Sequence, residues 1–573
     1  MDERYIVEID NYSLTFLGQT EKALRNIDIK VKEGEVVGIL GATGAGKTSL
    51  LLSLNGVIPN DMPAIQEGRI TVNNINVMEH DVTDMARHVG VVLDTPDTQL
   101  LASTVFDDIA FGPSNLGLDS TEILRRVEHV LEVSRLKGKE LRNPLQLSGG
   151  EQQNLAIAGV LAMDPPVLAL DEPISMLDPV GKETVMTLLR SIAKERKRTI
   201  IMTESGSDLE VTLTYFDRVI VLSNGEVVAD GSPEEIVYSG ILERVGVGEP
   251  QVTTFMRRLQ SEKYPVKPTL DINIAASMLA EIVDGRSVEP IHENHHIHAG
   301  EPVLKMENVR HVYPTGVEAL KGVSLEIYQG EMVGIVGSNG SGKTTLCMHA
   351  VGVLKPTNPD GRVIVMGHDT RKMKIKEIIK HINYVYQLPD NMLFQEKVVD
   401  EIAFAPQMMG FGKDKTAKIV DEMLDLFWLR EYADSYIFYL PRNIKRLLSL
   451  ACVLATRPSI IMVDEPTTGL DRGTAEKVMK ILHRLNREGL TIVLISHNME
   501  LVGSYCRRVV VMDSGNIIAD GPTRKIFSDK EIMAKANLRP PQIMSLFKDV
   551  PALSQLSVLS LEEALGVFRR LSM

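Results

Sequence analysis

The chain has 573 residues, of which 44% are hydrophobic and 24% are charged, and its formal net charge at pH 7 is -14. This length predicts several domains, and the acidic balance argues against a broad electrostatic affinity for nucleic acid. No apolar run reaches the roughly 18 residues that a membrane-spanning helix needs, and the N-terminus lacks a signal-peptide pattern.

A strand-rich segment, 5–32, leads into a glycine-rich loop at 41–48 (GATGAGKT), which is preceded by an apolar run and followed by a helix-favouring one. This order suits phosphate binding, because glycines let backbone N–H groups turn inward and the helix N-terminus adds its positive end. Lys47 would reach the β- and γ-phosphates, and the Thr48 hydroxyl would bind Mg²⁺. The predicted nucleotide-binding residues here are Gly41, Thr43, Gly44, Ala45, Gly46, Lys47, Thr48 and Ser49.

The same loop recurs at 337–344 (GSNGSGKT), again after an apolar run. A chance glycine-rich turn explains one such loop but not two, and other landmarks repeat at nearly the same spacing. The sequence therefore predicts one nucleotide-binding fold written twice. The predicted binding residues of the second copy are Gly337, Asn339, Gly340, Ser341, Gly342, Lys343, Thr344 and Thr345.

Phe16 and Tyr313 stand at matching places upstream of the two loops. An aromatic ring there could stack on an adenine, since every base has a π-face. Position alone favours the alternative of a half-buried strand aromatic.

Each half then carries a four-residue apolar run that ends in Asp-Glu-Pro. Such runs predict buried parallel strands that deliver carboxylates at their carboxyl ends. Asp171 and Asp464 would hold Mg²⁺, and Glu172 and Glu465 would polarise an attacking water.

The segment 261–300 between the halves is rich in proline and histidine. Its residues of interest are Pro265, Pro268, Pro290, His292, His295, His296 and His298. A metal site is conceivable, but no acidic or cysteine scaffold flanks the histidines, so a solvated linker is the favoured interpretation. The three cysteines of the chain (Cys347, Cys452 and Cys506) predict small buried side chains in a reducing compartment.

The stretch 147–153 (LSGGEQQ) resembles the LSGGQ signature of ATP-binding cassette (ABC) ATPases. With two phosphate loops and two Asp-Glu strand ends, the resemblance covers nearly the whole chain. It implies an α/β fold with two tandem P-loop ABC nucleotide-binding domains, each with a RecA-like core, a helical subdomain and an antiparallel β-subdomain. It also implies an ATPase, and an adenine-stacking role for Phe16 and Tyr313. The expected domains are 1–245 and 301–535, with C-terminal extensions at 246–300, which includes the linker, and 536–573.

Members of this family are similar in sandwiching two ATPs head to tail, each between one domain's loop and the other domain's signature. Here Ser148, Gly149, Gly150 and Glu151 would cradle a γ-phosphate, as hydroxyl, backbone N–H groups and a helix N-terminus can. We therefore expect intramolecular head-to-tail pairing of the two domains.

A gapless alignment of the two halves places Pro441, Arg442, Asn443 and Ile444 opposite that segment. Proline has neither a hydroxyl nor an N–H, and the next two residues add bulk where close backbone approach is required. The second signature is therefore predicted to be broken.

Two further positions differ between the halves. The resemblance assigns His497 as the switch histidine, whereas Glu204 is its first-half counterpart; Gln387 corresponds to Asp94. An anionic carboxylate at Glu204 would repel a γ-phosphate and donate no hydrogen bond to it.

We expect one hydrolytic composite site and one slow or structural site. The catalytic residues predicted for the hydrolytic site are Lys343, Gln387, Glu465 and His497, and the predicted Mg²⁺ ligands of both halves are Thr48, Asp171, Thr344, Gln387 and Asp464.

Residues 96–101 (PDTQLL) and 104–118 (TVFDDIAFGPSNLGL) look like the ATPases of energy-coupling factor (ECF) importers, and 389–406 carries a weaker copy. Residues 250–253, 541–543 and 560–564 resemble the C-terminal extension by which such ATPases pair. The resemblance implies a transmembrane scaffold subunit docked near Asp94 and Gln387, and a small membrane subunit that selects a vitamin or a transition-metal ion. The chain would then lie peripherally on the cytoplasmic face of the membrane.

Two alternatives stay open. One is a twin-cassette ATPase that acts on a ribosome or another enzyme without a membrane partner; the linker is short of charge and rich in proline, which counts against translation-type members. The other is a nucleotide-gated regulator without useful turnover, which the intact composite site disfavours.

Overall fold

The computed structural model describes residues 4–175, 177–196, 198–284 and 301–571. The chain divides into two compact units, the first built mainly from the part before residue 258 and the second from most of the remainder. Short segments cross this division, since 267–271 and 471–473 belong to the first unit and 258–266 to the second. The histidine cluster at 292–298 and Pro290 lie outside the described residues.

The first unit contains two sheets. Its strands, among the described residues, are β1 (Tyr5–Phe16), β2 (Leu24–Lys32), β3 (Val36–Leu40), β4 (Ala64–Val72), β5 (Ile75–Asn76), β6 (Val89–Val92), β7 (Val167–Leu170), β8 (Thr199–Glu204), β9 (Arg218–Ser223) and β10 (Glu226–Gly231). The larger sheet has the order β10-β9-β3-β8-β7-β6, parallel except that β10 pairs antiparallel with β9. The smaller, antiparallel sheet has the order β2-β1-β4-β5.

The second unit repeats both sheets. Its described strands are β11 (Leu304–Val312), β12 (Glu318–Ile327), β13 (Met332–Val336), β14 (Arg362–Val365), β15 (His368–Asp369), β16 (Ile382–Val385), β17 (Ile460–Asp464), β18 (Thr491–Ile495), β19 (Arg508–Asp513) and β20 (Asn516–Pro522). The larger sheet has the order β16-β17-β18-β13-β19-β20, and the smaller has the order β12-β11-β14-β15. Corresponding strands occupy the same places, which confirms the predicted fold written twice.

Helices connect these strands. In the first part of the described chain they are α1 (Lys47–Leu54), α2 (Val57–Asn60), α3 (Val82–Met85), α4 (Val105–Asn115), α5 (Ser120–Val133), α6 (Gly149–Ala162), α7 (Pro179–Arg196), α8 (Leu209–Thr212), α9 (Pro233–Ser239), α10 (Ile241–Arg244), α11 (Gln251–Ser261) and α12 (Ile272–Val283). In the second part they are α13 (Lys343–Ala350), α14 (Ile375–Ile378), α15 (Val398–Met408), α16 (Lys413–Leu426), α17 (Arg442–Ala455), α18 (Arg472–Arg487), α19 (Met499–Tyr505), α20 (Thr523–Ser528), α21 (Lys530–Lys535), α22 (Gln542–Asp549) and α23 (Leu561–Leu571). None of the helices in the described residues has both the length and the apolar character needed to cross a bilayer.

The central strands are apolar because both faces of each parallel sheet are covered. Strands β7, β17 and β18 are buried along their whole length. The three cysteines, Cys347, Cys452 and Cys506, are free thiols in buried positions, as predicted. The loops that follow β3, β6, β7 and β8, and their counterparts β13, β16, β17 and β18, leave each sheet at its carboxyl edge, where ligands bind in open α/β sheets.

The one tryptophan of the sequence, Trp428, lies in the second unit, two residues after α16. Its φ is 57°, the residue is 45% exposed, and the Lys477 ammonium nitrogen lies 5.5 Å from the ring centroid. The indole is therefore a half-exposed ring with a cation over one face.

Candidate nucleotide-binding sites

The two glycine-rich loops end at helices that begin without a side-chain cap. Gly46 precedes α1 with φ 100°, and Gly342 precedes α13 with φ 104°. A Cβ on Gly46 would lie 2.9 Å from the Ala23 carbonyl oxygen, and one on Gly342 would lie 2.6 Å from that of Ala319. Only glycine fits these positions, so the first-turn N–H groups remain available to an anion.

The loop tips are open where a phosphate would approach. Gly44 has φ 84° and Gly340 has φ 76°, and a Cβ added at either would meet nothing within 4 Å. Left-handed glycines in an exposed loop that ends at a helix N-terminus form a concavity of backbone N–H groups. Both loops therefore fit a nucleotide phosphate.

The loop lysines lie across their own loops. The Lys47 ammonium donates to the carbonyl oxygens of Gly41 at 2.7 Å and Ala42 at 3.2 Å. The Lys343 ammonium donates in the same way to Gly337 at 2.8 Å and Ser338 at 2.7 Å. Each cation therefore lies against the first carbonyl oxygens of its own loop, and its reach to the β- and γ-phosphates stays a prediction.

The first-half Mg²⁺ candidates are in direct contact. The Thr48 hydroxyl, at the start of α1, donates to Asp171 Oδ2 at 2.7 Å, and the Thr203 hydroxyl donates to the other carboxylate oxygen. Burial raises the pKa of Asp171, and the two hydroxyls oppose that rise. A hydroxyl and a carboxylate are hard oxygen ligands, so this pair fits Mg²⁺.

The corresponding second-half pair is more loosely joined. The Thr344 hydroxyl lies 3.4 Å from Asp464 Oδ2, and the Tyr384 phenol donates to the same oxygen at 2.5 Å. Burial raises the pKa of Asp464, and the tyrosine hydrogen bond opposes the rise. This pair also fits Mg²⁺, with a phenolic donor that the sequence did not lead us to expect. Gln387 lies half-buried just beyond β16, on the neighbouring strand end.

We call Glu465, Ser496 and His497 the second-half carboxylate corner. Glu465 Oε1 accepts from the His497 main-chain N–H at 2.9 Å and lies 2.6 Å from His497 Nδ1, and Ser496 donates to Oε2 at 3.0 Å. Burial raises the pKa of Glu465, but the imidazole and these hydrogen bonds outweigh it and lower the pKa to about 2. Glu465 is therefore ionised at neutral pH, as a general base must be.

We call Glu172, Ser205 and Glu204 the first-half carboxylate corner. Ser205 donates to Glu172 Oε1 at 2.6 Å, and the Lys47 ammonium lies 3.7 Å from the same oxygen. Burial raises the pKa of Glu172 in spite of both neighbours. The equivalent glutamate of the first half therefore holds its proton more firmly than Glu465 does.

Glu204 turns back onto its own loop. Its Oε1 accepts from the N–H groups of Gly206 at 2.8 Å and Asp208 at 3.4 Å and from the Ser207 hydroxyl at 3.3 Å. Burial, together with the charges of Asp208 and Glu172, raises the pKa of Glu204 to about 8. Glu204 therefore holds a proton more firmly than an ordinary glutamate does, whereas the sequence led us to expect an anionic carboxylate.

The first-half signature opens a helix. Ser148 is exposed at the N-terminus of α6, and its hydroxyl and the Glu151 side chain form a reciprocal capping box, with Ser148 N donating to Glu151 Oε2 at 2.9 Å. Lys139 pairs with the same glutamate. Gly149 and Gly150 lie in the first turn and are partly exposed. This arrangement presents a hydroxyl and two glycine N–H groups at the surface of the unit.

The aligned second-half segment opens a helix of the same length. Pro441 is exposed before α17 and caps it with no side-chain hydrogen bond, and Arg442 occupies the first helical position. Asn443 and Ile444 complete the first turn. Helix formation is therefore retained although the hydroxyl and the glycines are gone.

The structure also draws attention to side chains that the sequence motifs do not contain. Tyr384 contacts Asp464, Lys182 pairs with Asp208 beside Glu204, and Arg446 of α17 lies behind the second-half carboxylate corner. The basic pair Lys445-Arg446, directly before the largely apolar run 447–455, was the one signal in the sequence that could have pointed to Arg446.

The two upstream aromatics are partly exposed. Phe16 ends β1 and packs partly against the first-unit core. Tyr313 follows β11, and its hydroxyl lies 3.1 Å from the hydroxyl of Thr345 on α13. Tyr313 thus contacts the helix of its phosphate loop.

Comparisons with known proteins agree with this geometry. A family model described as ABC transporter matches residues 24–175 and 320–468. A protein of Caldanaerobacter subterraneus subsp. tengcongensis, provisionally named an ABC transporter ATP-binding protein, is 35% identical over 548 residues, or 94% of this chain and 95% of its own. A similarly named protein of Methanosarcina acetivorans is 34% identical over 553 residues, or 93% of this chain and 89% of its own.

A solved structure of cbiO1 from Clostridium perfringens, described as part of the ABC transporter complex cbiONQ, is 33% identical and covers 44% of this chain and 100% of its own, with a TM-score of 0.38. The family match spans both halves, and the relatives extend along nearly the whole chain. The chain belongs to the ABC transporter family, as an ABC-type ATPase with two tandem nucleotide-binding domains.

Proposed function

We propose that this ATPase energises an ECF-type importer, in which separate membrane subunits carry a vitamin or a transition-metal ion. The observation that carries the proposal is the stretch 96–118, with its weaker copy at 389–406, which resembles the ATPases of such importers. The partners would be a transmembrane scaffold subunit and a substrate-binding membrane subunit. The chain would act peripherally on the cytoplasmic face of the membrane.

The surface of these stretches supports a docking role. Leu101 is 70% exposed and Phe111, on α4, is 52% exposed. In the second half Phe394 is 63% exposed and Met408, on α15, is 57% exposed. Both ECF-like stretches thus expose large apolar side chains, which a docking surface for a membrane subunit would use.

We further propose that turnover is asymmetric. Lys343, Gln387, Glu465 and His497 would act with the first-half signature, Ser148 to Glu151. The other composite site would contain Lys47 and would face the second-half segment that begins at Pro441. It would bind nucleotide but hydrolyse it slowly or not at all. Support comes from the ionised Glu465 and from the loss of hydroxyl and glycines at 441–443.

The proposed roles follow from the chemistry of each group. Lys343 and the α13 N-terminus would neutralise the phosphate chain, and Tyr313 would stack on the adenine. Glu465 would accept a proton from the attacking water, while His497 would hold the carboxylate and donate toward the γ-phosphate. When bound by Thr344, Asp464 and Gln387, Mg²⁺ would supply positive charge against the phosphate oxygens. In the first half Thr48 and Asp171 would hold Mg²⁺ in the same way.

The test is co-purification. The tagged chain is captured from detergent-solubilised membranes of its own source, and the co-purifying proteins are identified by mass. We expect two integral membrane proteins, and a Leu101→Asp, Phe394→Asp double variant should lose them while keeping ATPase activity. An exposed variant outside these stretches, Val228→Asp, is the matched control. Recovery of ribosomes or of a water-soluble enzyme instead would contradict the importer proposal.

A further inference from the structure

Arg446 is a cationic side chain enclosed by the second unit. It lies on α17, the helix that starts with the broken signature, and only 1% of it is exposed. An arginine is almost never fully buried unless its donors are satisfied, because burying a charge without partners is unfavourable. The burial of Arg446 is therefore expected to depend on the hydrogen bonds that its guanidinium makes.

The guanidinium donates to main-chain carbonyl oxygens at two places. One terminal nitrogen, Nη1, donates to Tyr386 O and lies 3.3 Å from Gln387 O. The other, Nη2, donates to Asp464 O and Glu465 O. Nε has no hydrogen-bond partner among the described residues, so all the observed hydrogen bonds come from the two ends of the fork.

These carbonyls belong to neighbouring strand ends. Strands β16 and β17 are parallel, with Val385 opposite Val463, and their ladder stops there. Beyond it the chain turns into the loop of Gln387 on one side and into Glu465, with φ 49°, on the other. The guanidinium therefore continues the pairing of the two strands past the last ladder position and ties the two loops together.

The first half has no arginine at the position aligned with Arg446. The gapless alignment of the halves places Gln153, on α6, at the position of Arg446. Gln153 is 2% exposed, and its Nε2 has no hydrogen-bond partner among the described residues. The same helix and strands therefore form around a neutral side chain, so the fold by itself does not require the arginine.

The charge is also suited to the site. Burial lowers the pKa of Arg446 to about 10, and the nearby carboxylates of Asp464 and Glu465 oppose that decrease. Arg446 stays cationic at neutral pH beside the two carboxylates that the proposed mechanism uses. A planar fork can reach two carbonyl pairs at once, which a lysine ammonium cannot.

We propose that Arg446 is a positioning residue that couples the Gln387 loop to Glu465, so that a displacement of the loop alters the placement of the carboxylate. This inference rests on the proposed catalytic roles of Gln387 and Glu465. It explains why the half with the broken signature carries the arginine: that half has Gln387, Glu465 and His497, whereas the first half has the neutral Gln153 at the aligned position.

The experiment compares Arg446→Gln, which installs the first-half residue, with Arg446→Lys and with Arg430→Gln, a control on an exposed, ion-paired arginine. Steady-state phosphate release from MgATP and equilibrium binding of a non-hydrolysable ATP analogue are measured on the full-length protein. We expect Arg446→Gln to lower kcat about 10-fold to 100-fold with KM and analogue affinity within about threefold, and Arg446→Lys to recover part of kcat.

Coupling is tested in a Gln387→Ala background. There we expect Arg446→Gln to lower kcat by less than about threefold, because the loop no longer carries the group to be positioned. The proposal is overturned by a kcat within twofold of the parent, by an equal loss in both backgrounds, or by loss of analogue binding, which would make the arginine a support of the fold. Glu465→Gln is measured in parallel; if that variant keeps full turnover, the assignment of the catalytic half fails, whatever Arg446 does.

Discussion

The two carboxylate corners occupy equivalent edges of two equivalent sheets, yet the pKa values of their glutamates shift in opposite directions. Glu465 lies against an imidazole and two further donors, and its pKa falls to about 2. Glu172 has a serine and a lysine beside it, and its pKa is raised by burial. In each half the strand places the carboxylate, and the second half sets the imidazole of His497 against it, where the first half has Glu204 at the aligned position.

The comparison teaches that a repeated fold can retain its binding geometry while its chemistry diverges. Both glycine loops, both lysines and both threonine–aspartate pairs are kept. The differences include the residues that would act on the attacking water and on the opposite nucleotide. Four experiments can break or sharpen this comparison.

The largest expected effect comes from neutralising the two glutamates separately. Glu465→Gln should lower the rate of phosphate release from MgATP by about 10²-fold or more, since removal of a general base has that magnitude. Glu172→Gln should leave the rate within about threefold of the parent, because the site of Glu172 would face the segment that lacks the signature serine and glycines. Equal losses in the two variants would show that the halves share the chemistry.

The next effect concerns the signature segments. Gly149→Arg installs the residue that α17 already tolerates at its start, and it should lower turnover about 10-fold to 100-fold by blocking close approach of a phosphate. The mirror change, Arg442→Gly, should alter turnover by less than twofold. Steady-state phosphate release measures both, and a larger loss from Arg442→Gly would reverse the assignment of the two sites.

The raised pKa of the Glu204 carboxyl predicts that the stability of the folded chain depends on pH. Its pKa is raised to about 8 in the folded chain, above the ordinary value of 4.5, so the folded state binds more protons between these values. Its contribution is fully present below about pH 4.5 and is lost as the pH rises through 8, by at most about 1.4 kcal/mol per pH unit. Glu204→Gln should remove this dependence.

Amide hydrogen exchange measures this pH dependence of stability locally. The protection of the peptide that covers β8 is measured in the variant and in the parent at each pH from 5 to 8, and the ratio of the two is compared. The variant should gain protection relative to the parent toward pH 8. Glu226→Gln, at an exposed position, is the control and should show a constant ratio. A constant ratio for Glu204→Gln as well would mean that this carboxyl titrates normally.

The smallest effect should come from Tyr384→Phe, which removes the phenolic donor to Asp464. Looser orientation of this carboxylate should raise the Mg²⁺ concentration for half-maximal ATPase activity about threefold to tenfold. The first half has Val91 at the aligned position and so lacks this phenol. In the Tyr384→Phe variant the Mg²⁺ requirement of the second half should therefore approach that of the first. An unchanged Mg²⁺ requirement would show that the Tyr384 phenol does not orient Asp464 for Mg²⁺ binding.

The fold could be predicted from the sequence because its signals are local. The apolar runs before each glycine loop and each Asp-Glu pair form buried strands, and the glycines permit the left-handed turns that the loops need. The α/β class and its duplication follow from such patterns, and both are confirmed. The internal alignment also locates the unequal signature segments.

The protonation states and the long-range contacts could not be read in this way. The pKa of Glu204 depends on burial and on Asp208, and no pattern near residue 204 indicates either. Tyr384 and Arg446 reach residues of β17 and its loop from 80 and 18–19 positions away. Such contacts depend on how strands and helices assemble, which residue spacing alone does not specify.

The single indole of Trp428 gives the duplication a practical use. Because it lies in the second unit, ultraviolet emission excited at the red edge of the tyrosine band reports on that unit alone. The neighbouring Lys477 ammonium, 5.5 Å from the ring centroid, makes the emission sensitive to a shift of α18 against the ring. Stopped-flow mixing with nucleotide can thus time events in one cassette of an unlabelled protein, while its twin stays optically silent.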